Sequence, residues 1–434
     1  MPDNTFFDAS RREFLRDFSL AASLASIASI APWSKAIASE DFSEIARNGK
    51  ARLGIIGVGS RGRALLLHLQ QVEHATIVAV CDDYPPHYEQ AIELTRGTAT
   101  AFTDYRKMLE MQDLDAVVIA TPLDQHAHIA IDAMESGLDV FCEKSMARTL
   151  ADCRRMVETR QSTGKILQIG HQRLFNPIYL NAIERVRRGE IGKVTQIRAY
   201  WHRNNDWRRA VPRDNPELER KINWRMYRES SAGLMTELAS HQIQVANWFF
   251  DGIPERVMGS GSICFWRDGR EVYDQVALIY DYSDGRKLVY DSMINNMHYG
   301  LEEQILGHLG TLEMETNRAY WENPAPAPGM KQLVEDIDKG EVRDIPIGGA
   351  SWIPETAAQQ NGTVILEGEY SDTSLQMEAF AAAVLNGSAY PGMLREAYHA
   401  TVAALLGEQA MDSGQAVAWP RDYIMPNKSE SPKI

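Results

Sequence analysis

Long apolar runs are missing. Beyond the first 31 residues no stretch reaches the roughly 18 consecutive apolar residues that a helix needs to cross ~30 Å of hydrocarbon. Cysteine is scarce: four among 434 residues, with no C-x-x-C and no zinc-ligand spacing. That excludes a disulfide-stapled miniprotein and a zinc ribbon. Basic runs are missing too. Asp and Glu number 59 against 45 Lys and Arg, a formal net charge of −14, which suits neither nucleic acid nor an anionic membrane surface. There is no internal repeat. What is present is an ordinary folding mixture, 44% hydrophobic and 24% charged, too apolar for disorder and long enough for two or three cores.

Residues 1–38 read as an address. Arg11 and Arg12 precede Phe14 and Leu15, a small-residue apolar run extends from Phe18 to Ala31, and Ala36-Ile37-Ala38 supplies an A-x-A cleavage site. This order makes a secretory signal, and the twin arginine resembles the Tat export signal. The expectation is a periplasmic protein with no stable membrane span after processing. Removing 1–38 takes away four basic and four acidic residues, so the remaining 396 keep the charge of −14. Cys81, Cys142, Cys153 and Cys264 are expected as free thiols, because the Tat route carries proteins already folded.

An apolar run from Arg52 leads into Gly57-Val58-Gly59-Ser60-Arg61-Gly62, and helical apolar spacing follows from Arg63 to Gln71. G-x-G-x-x-G between strand and helix is a dinucleotide-binding context. Gly57 permits the tight turn, Gly59 lets backbone approach a pyrophosphate, and Gly62 lets helix and strand pack closely. The helix N-terminal amides at Ser60 and Arg61 then face the anion. A second strand, Thr76 to Cys81, ends in Asp82, twenty residues beyond Gly62, where an acid accepts from the adenosine ribose hydroxyls and favours NAD. Arg61 and Arg63 are the counterweight, since either could reach the extra phosphate of NADP.

Strand and helix patterns keep alternating: a strand from Asp115 to Ala120, a helix from His126 to Gly137, a strand from Asp139 to Cys142, a helix from Leu150 to Gly164, a strand from Lys165 to Gly170. This predicts an α/β fold with a doubly wound parallel sheet. Ligands bind such sheets beyond the strand C-terminal ends, where Gly57–Gly62, Asp82, Thr121, Pro122, Glu143, Lys144 and His171–Arg173 all fall.

Four further motifs complete the pattern: T-P-x-x-x-H at Thr121–His126, Glu143-Lys144-Ser145 where E-K-P is usual, Gly170–Pro177, and Glu237–His241 where D-x-x-x-H is usual. Together they resemble the glucose–fructose oxidoreductase/inositol dehydrogenase family (Gfo/Idh/MocA). The resemblance implies an N-terminal Rossmann domain at 39–170 and, at 171–420, a C-terminal α/β domain with an open, mainly antiparallel sheet. In the second domain a helix is predicted at 230–250, strands near 256–266, 274–282, 286–294 and 301–314, and helices at 373–386 and 395–412. Residues 317–372 read as an insertion or arm, and 421–434 as a tail. Homo-oligomerisation through the open sheet face is also implied.

The resemblance implies NAD as cofactor and a sugar or glycoside as substrate. Cofactor contacts fall on Gly57, Gly59, Ser60, Arg61, Gly62, Asp82, Thr121, Pro122, His126, Glu143, Lys144 and Gln172. Lys144 and His241 are the expected catalytic pair: His241 accepts the hydroxyl proton and Lys144 stabilises the alcohol oxygen, or is itself the base if its pKa is lowered. Ser145 in place of proline leaves the backbone after Lys144 less constrained. Glu237 and His241, at i and i+4, are expected to share a helix face, with Glu237 orienting His241 or contacting substrate. Tyr200–Arg209, expected as a loop after a strand at 193–199, is dense in aromatics and donors, as sugar sites are. Substrate contacts are expected from Arg173, Asp206, Trp207, His202 and Tyr299 alongside Glu237. No metal is expected, since His126 and His128 lack a third ligand.

The leading functional expectation is a periplasmic NAD-dependent sugar dehydrogenase with a retained cofactor, acting on a secondary hydroxyl such as C3 of a glycoside. One alternative is a redox-assisted glycoside hydrolase. Another is a non-catalytic NAD-binding regulatory protein.

Overall fold

The computed structural model describes residues 49–322, 335, 337–341, 361–390 and 392–425. The export signal and most of the 317–372 segment lie outside them. Six parallel strands form the first sheet: β1 (Ala51–Ile56), β2 (Ala75–Cys81), β3 (Thr100–Phe102), β4 (Ala116–Ile119), β5 (Asp139–Cys142) and β6 (Leu167–Ile169). Their order is β3-β2-β1-β4-β5-β6, the doubly wound arrangement with helices on both faces. The strands are short, apolar and buried on both sides, as a parallel sheet requires. Register aligns their C-terminal ends: Ile56 pairs with Cys81 and Ile119, and Cys142 with Ile119 and Ile169. The residues that follow these strands therefore crowd one edge.

The second sheet has nine strands: β7 (Val194–His202), β8 (Arg256–Ser262), β9 (Gln275–Asp281), β10 (Lys287–Met293), β11 (Leu301–Gly307), β12 (Gly310–Glu313), β13 (Arg318–Trp321), β14 (Thr363–Val364) and β15 (Val417–Ala418). Their order is β14-β13-β12-β11-β7-β10-β9-β8-β15. Only β7 and β10 pair in parallel; the other neighbours are antiparallel. Helices Ser240–Phe250 and Met393–Ser413 cover one face, and the other alternates exposed residues such as Ala277 and Ile279. The predicted strand at 256–266 stops at Ser262, and 301–314 is two strands joined by a turn at His308 and Leu309. The described ends of the 317–372 segment include β13 and β14, and β14 is the outermost strand of the sheet.

The helix Asp372–Asn386 returns to the first sheet. Phe380 packs on Phe141 at 5.6 Å, and Met377, Phe380, Ala381 and Ala383 share a core with Leu53, Ile55 and Val118. The chain thus crosses between the sheets and back, which ties both to one cleft. Cys81, Cys142, Cys153 and Cys264 are free thiols, the first three buried. No helix among the described residues is long and apolar enough to cross a membrane.

Candidate active site

The glycine turn is sterically committed. Gly57 has φ +85°, and a Cβ on Gly62 would lie 1.9 Å from the Gly57 carbonyl oxygen, so only glycine fits where the helix Ser60–Leu69 starts against β1. At Gly59 a Cβ would meet nothing nearer than the His87 ring at 3.6 Å, so its backbone is open to the cleft. Asp82 closes the turn: Oδ2 accepts from the Val58 N–H at 2.9 Å and Oδ1 from the Tyr84 N–H at 2.9 Å. Gly57, Gly59, Ser60, Arg61, Asp82, Thr121 and Pro122 line a cavity of about 430 Å³. This open backbone at a helix N-terminus fits a dinucleotide pyrophosphate. Arg61 Nε donates to Glu143 Oε1 at 2.6 Å and Arg63 to the Val58 carbonyl at 2.7 Å. One donor of each counterweight arginine is thus committed within the protein, Arg61 to Glu143 and Arg63 to the glycine turn itself.

A second cavity, about 600 Å³, adjoins the first; Arg61, Ala120, Thr121, Arg209, Trp224 and Arg225 line both. Its walls include Lys144, His241, His126, Glu143, Gln172, Asp206, Trp207 and Glu237. Lys144 Nζ donates to the Glu237 carbonyl at 2.7 Å and the Thr236 carbonyl at 3.2 Å. Those carbonyls are presented by a π-helical turn, Met235–Ala239, which precedes the helix Ser240–Phe250 and shifts the ladder by one residue. Such turns frequently mark functional sites. Burial lowers the Lys144 pKa from 10.5, assisted by the charges of Arg225 and Arg61 and opposed by Glu237 and Glu143.

His241 is buried, its Nδ1 without a hydrogen-bond partner, and it lines the same cavity. Burial first, then the charges of Lys144 and Arg173, hold its pKa well below 6.5. Its imidazole is therefore neutral, the state that can accept a proton, at the cost of being a weaker base. His126 is clamped between the carbonyl oxygens of Ser145 (2.9 Å) and Thr121 (3.1 Å), and His128 packs near Tyr105. Among the described residues no group of three His, Cys, Asp or Glu is placed to hold a metal.

Five expectations need correction. Glu237 does not orient His241: its carboxylate accepts from Arg225 Nε at 2.9 Å and Ser231 Oγ at 3.3 Å. The segment after Lys144 is not slack, because Ser145 Oγ donates to the Thr236 carbonyl at 3.0 Å. Arg173 is absent from the cavity wall. It is buried in ion pairs with Glu303 (3.1 Å) and Glu315 (2.8 Å), beneath the Trp201 ring. His202 and Tyr299 miss the cavity as well. β7 runs on through His202, so Trp201 faces His241 while Tyr200 and His202 project to the opposite face. There His202 pairs with Asp291 at 2.5 Å and packs on Tyr299.

Asp206 and Trp207 do line the cavity. Trp207 has φ +61°, an uncommon conformation for a bulky residue and one that clusters at binding sites. Sequence reasoning missed Trp224, Arg225 and Leu238. The first two sit in a short turn without a motif, on the long excursion between β7 and β8 rather than at a strand end.

An open glycine turn at a helix N-terminus, joined to a buried lysine–histidine pair, defines a dinucleotide-dependent oxidoreductase. Residues 51–171 match the model of the oxidoreductase family with an NAD-binding Rossmann fold, and 179–313 match the GFO/IDH/MocA C-terminal domain. The chain belongs to the Gfo/Idh/MocA oxidoreductase family and binds NAD. It is 27% identical to inositol 2-dehydrogenase of Salmonella typhimurium (strain LT2) over 271 residues, 61% of this chain and 74% of that protein. It is 30% identical to a glycosyl hydrolase family 109 protein of Stenotrophomonas maltophilia (strain K279a) over 207 residues, 45% of this chain and 43% of that one. The solved structure of levoglucosan dehydrogenase with NADH and levoglucosan superposes with a TM-score of 0.65 at 18% identity, covering 86% of this chain and all of that one, a likeness of fold.

Proposed function

We propose that the protein is a periplasmic, NAD-dependent sugar dehydrogenase that oxidises a secondary hydroxyl, with C3 of a glycoside the leading position. The observation that carries this reading is Lys144 and His241 together in a cavity that shares its wall with the glycine-turn cavity. Bound NAD supplies the hydride acceptor. His241 takes the hydroxyl proton as hydride leaves the carbon. Lys144 has three N–H donors; two go to the Thr236 and Glu237 carbonyls, which leaves one for the alcohol oxygen and its developing negative charge. Gln172 and His126 shape the wall between cofactor and substrate. The sugar dehydrogenase relatives support the substrate class.

Export by the twin-arginine route would load NAD before transit. A compartment poor in free NAD then favours a retained cofactor, reoxidised by a second carbonyl compound. Purified protein should carry nucleotide, read by denaturation and mass spectrometry, and should convert a member of a glycoside panel to a keto product. Nucleotide-free protein would sink the retained-cofactor idea, and no keto product from any sugar would sink the dehydrogenase. The open face of the second sheet, with Ile279 and Tyr299 exposed, suits a homo-oligomer; light scattering tests it.

One observation favours a second reading, redox-assisted glycoside cleavage: the likeness to a glycosyl hydrolase family 109 protein. Release of a chromogenic aglycone by the protein alone would select it.

A further inference from the structure

The second cavity is far more cationic than the chain around it. Five arginines and Lys144 line it, against Glu143, Asp206 and Glu237. Three of the arginines are paired. Arg61 meets Glu143, Arg225 meets Glu237, and Arg208 is held by Asp268 and Glu219. Arg203 and Arg209 form no ion pair among the described residues, and the Asp206 carboxylate accepts instead from the Arg208 backbone N–H.

Arg209 reaches Ser60 on the glycine turn at 2.8 Å, so its charge lies toward the cofactor phosphates. Arg203 lines only the second cavity. Its guanidinium stacks on Trp201 at 4.8 Å, and Arg173 and His241 lie against the same indole at 5.7 and 5.8 Å. Arg225 stacks on Trp224 at 4.2 Å and gives Nε to Glu237, which leaves its terminal amino groups for a ligand. Two flat guanidinium forks fixed on indole rings are built to grip a planar anion.

We propose that the substrate carries a carboxylate, as a sugar acid does, bound by Arg203 and Arg225 in the cavity that holds Lys144 and His241. Without an anion the two arginines oppose each other: burial and the Arg225 charge both lower the Arg203 pKa. A carboxylate relieves that repulsion, and the cavity concentrates anions that the acidic exterior repels. The proposal rests on the sugar oxidoreductase reading only for the remainder of the substrate.

The test is calorimetric titration of the NADH-bound protein with hexuronates, the matching neutral hexoses and hexose 6-phosphates. Hexuronates should bind on the order of 10- to 100-fold more tightly than the hexoses, the range for a charge-assisted hydrogen-bonded pair. Added salt should erode the difference. Arg203→Gln should bring it toward unity with NADH affinity unchanged, and Arg203→Lys should keep part of it. Equal affinity for acids and hexoses would overturn the proposal. So would tighter binding of the 6-phosphates, or a parallel loss of NADH affinity in Arg203→Gln. Tight hexuronate binding without keto product would sink the dehydrogenase reading and leave the clamp standing.

Discussion

The two halves of the cleft are assembled by different rules. On the nucleotide side each contributing residue stands just beyond its own strand: Gly57 after β1, Asp82 after β2, Thr121 after β4, Glu143 after β5. Parallel register alone brings them to one edge. On the opposite side the wall is gathered from the end of β7, the 203–209 loop, the Trp224–Arg225 turn and the π-helical turn before His241. Nothing local dictates that meeting; the tertiary packing of the long segment between β7 and His241 does. The first half is set by sheet geometry and recurs with it, whereas the second is free to change with the substrate.

The contrast can be broken most sharply at its seam, Lys144. Lys144→Met should lower turnover by on the order of 10³-fold while NAD affinity, read by titration, stays within a few-fold. A comparable loss of NAD affinity would make Lys144 part of the nucleotide half. Gly62→Ala should cost more than about a hundredfold in NAD affinity, because its Cβ collides with the Gly57 carbonyl. Gly59→Ala meets no such clash and should fold normally, with a smaller loss confined to the pyrophosphate contact.

Beneath the substrate half, Arg173→Met should destabilise the fold by about 3–5 kcal/mol in denaturant titration, because it strands Glu303 and Glu315. Burial pushes the Glu303 carboxyl up to about 7, so Arg173 is what keeps charge there tolerable. The pH profile of kcat/KM sharpens the assignment within the pair. The rate should fall on the acid side as His241 takes a proton, at a midpoint below 6.5, and on the alkaline side as Lys144 loses one, at a midpoint below 10.5. If Lys144 were the base, the rate would instead rise as it deprotonates. The smallest effect belongs to His202→Ala on the far face of β7, which should leave kcat/KM within about threefold and lower only the thermal midpoint, since it loses one hydrogen bond to a partly exposed Asp291.

The nucleotide half was legible because its signals are short-range. Glycine spacing, an acid after the next strand and alternating strand and helix each have a local physical cause. The substrate half was legible only where a motif pinned it, at Lys144 and His241. Asp206 and Trp207 were found through composition. Arg173 misled because a donor-rich residue beside a strand end looks the same whether it faces the cleft or a buried acid pair. His202 and Tyr299 misled because β7 ends three residues beyond its apolar pattern, which puts alternate residues on opposite faces. Glu237 lines the cavity but does not reach His241, because i, i+4 spacing presumes an α-helical ladder and a π-helical turn stands there instead.

The most direct measurement is nicotinamide absorbance in a stopped-flow instrument, with purified protein carrying NAD mixed with its sugar substrate. The expected result is a reduced-nicotinamide band that rises with the keto product, slows when deuterium replaces the transferred hydrogen, and is lost in His241→Ala and Lys144→Met. Keto product without any reduced nicotinamide, or an unchanged rate in both variants, would contradict the assignment of Lys144 and His241.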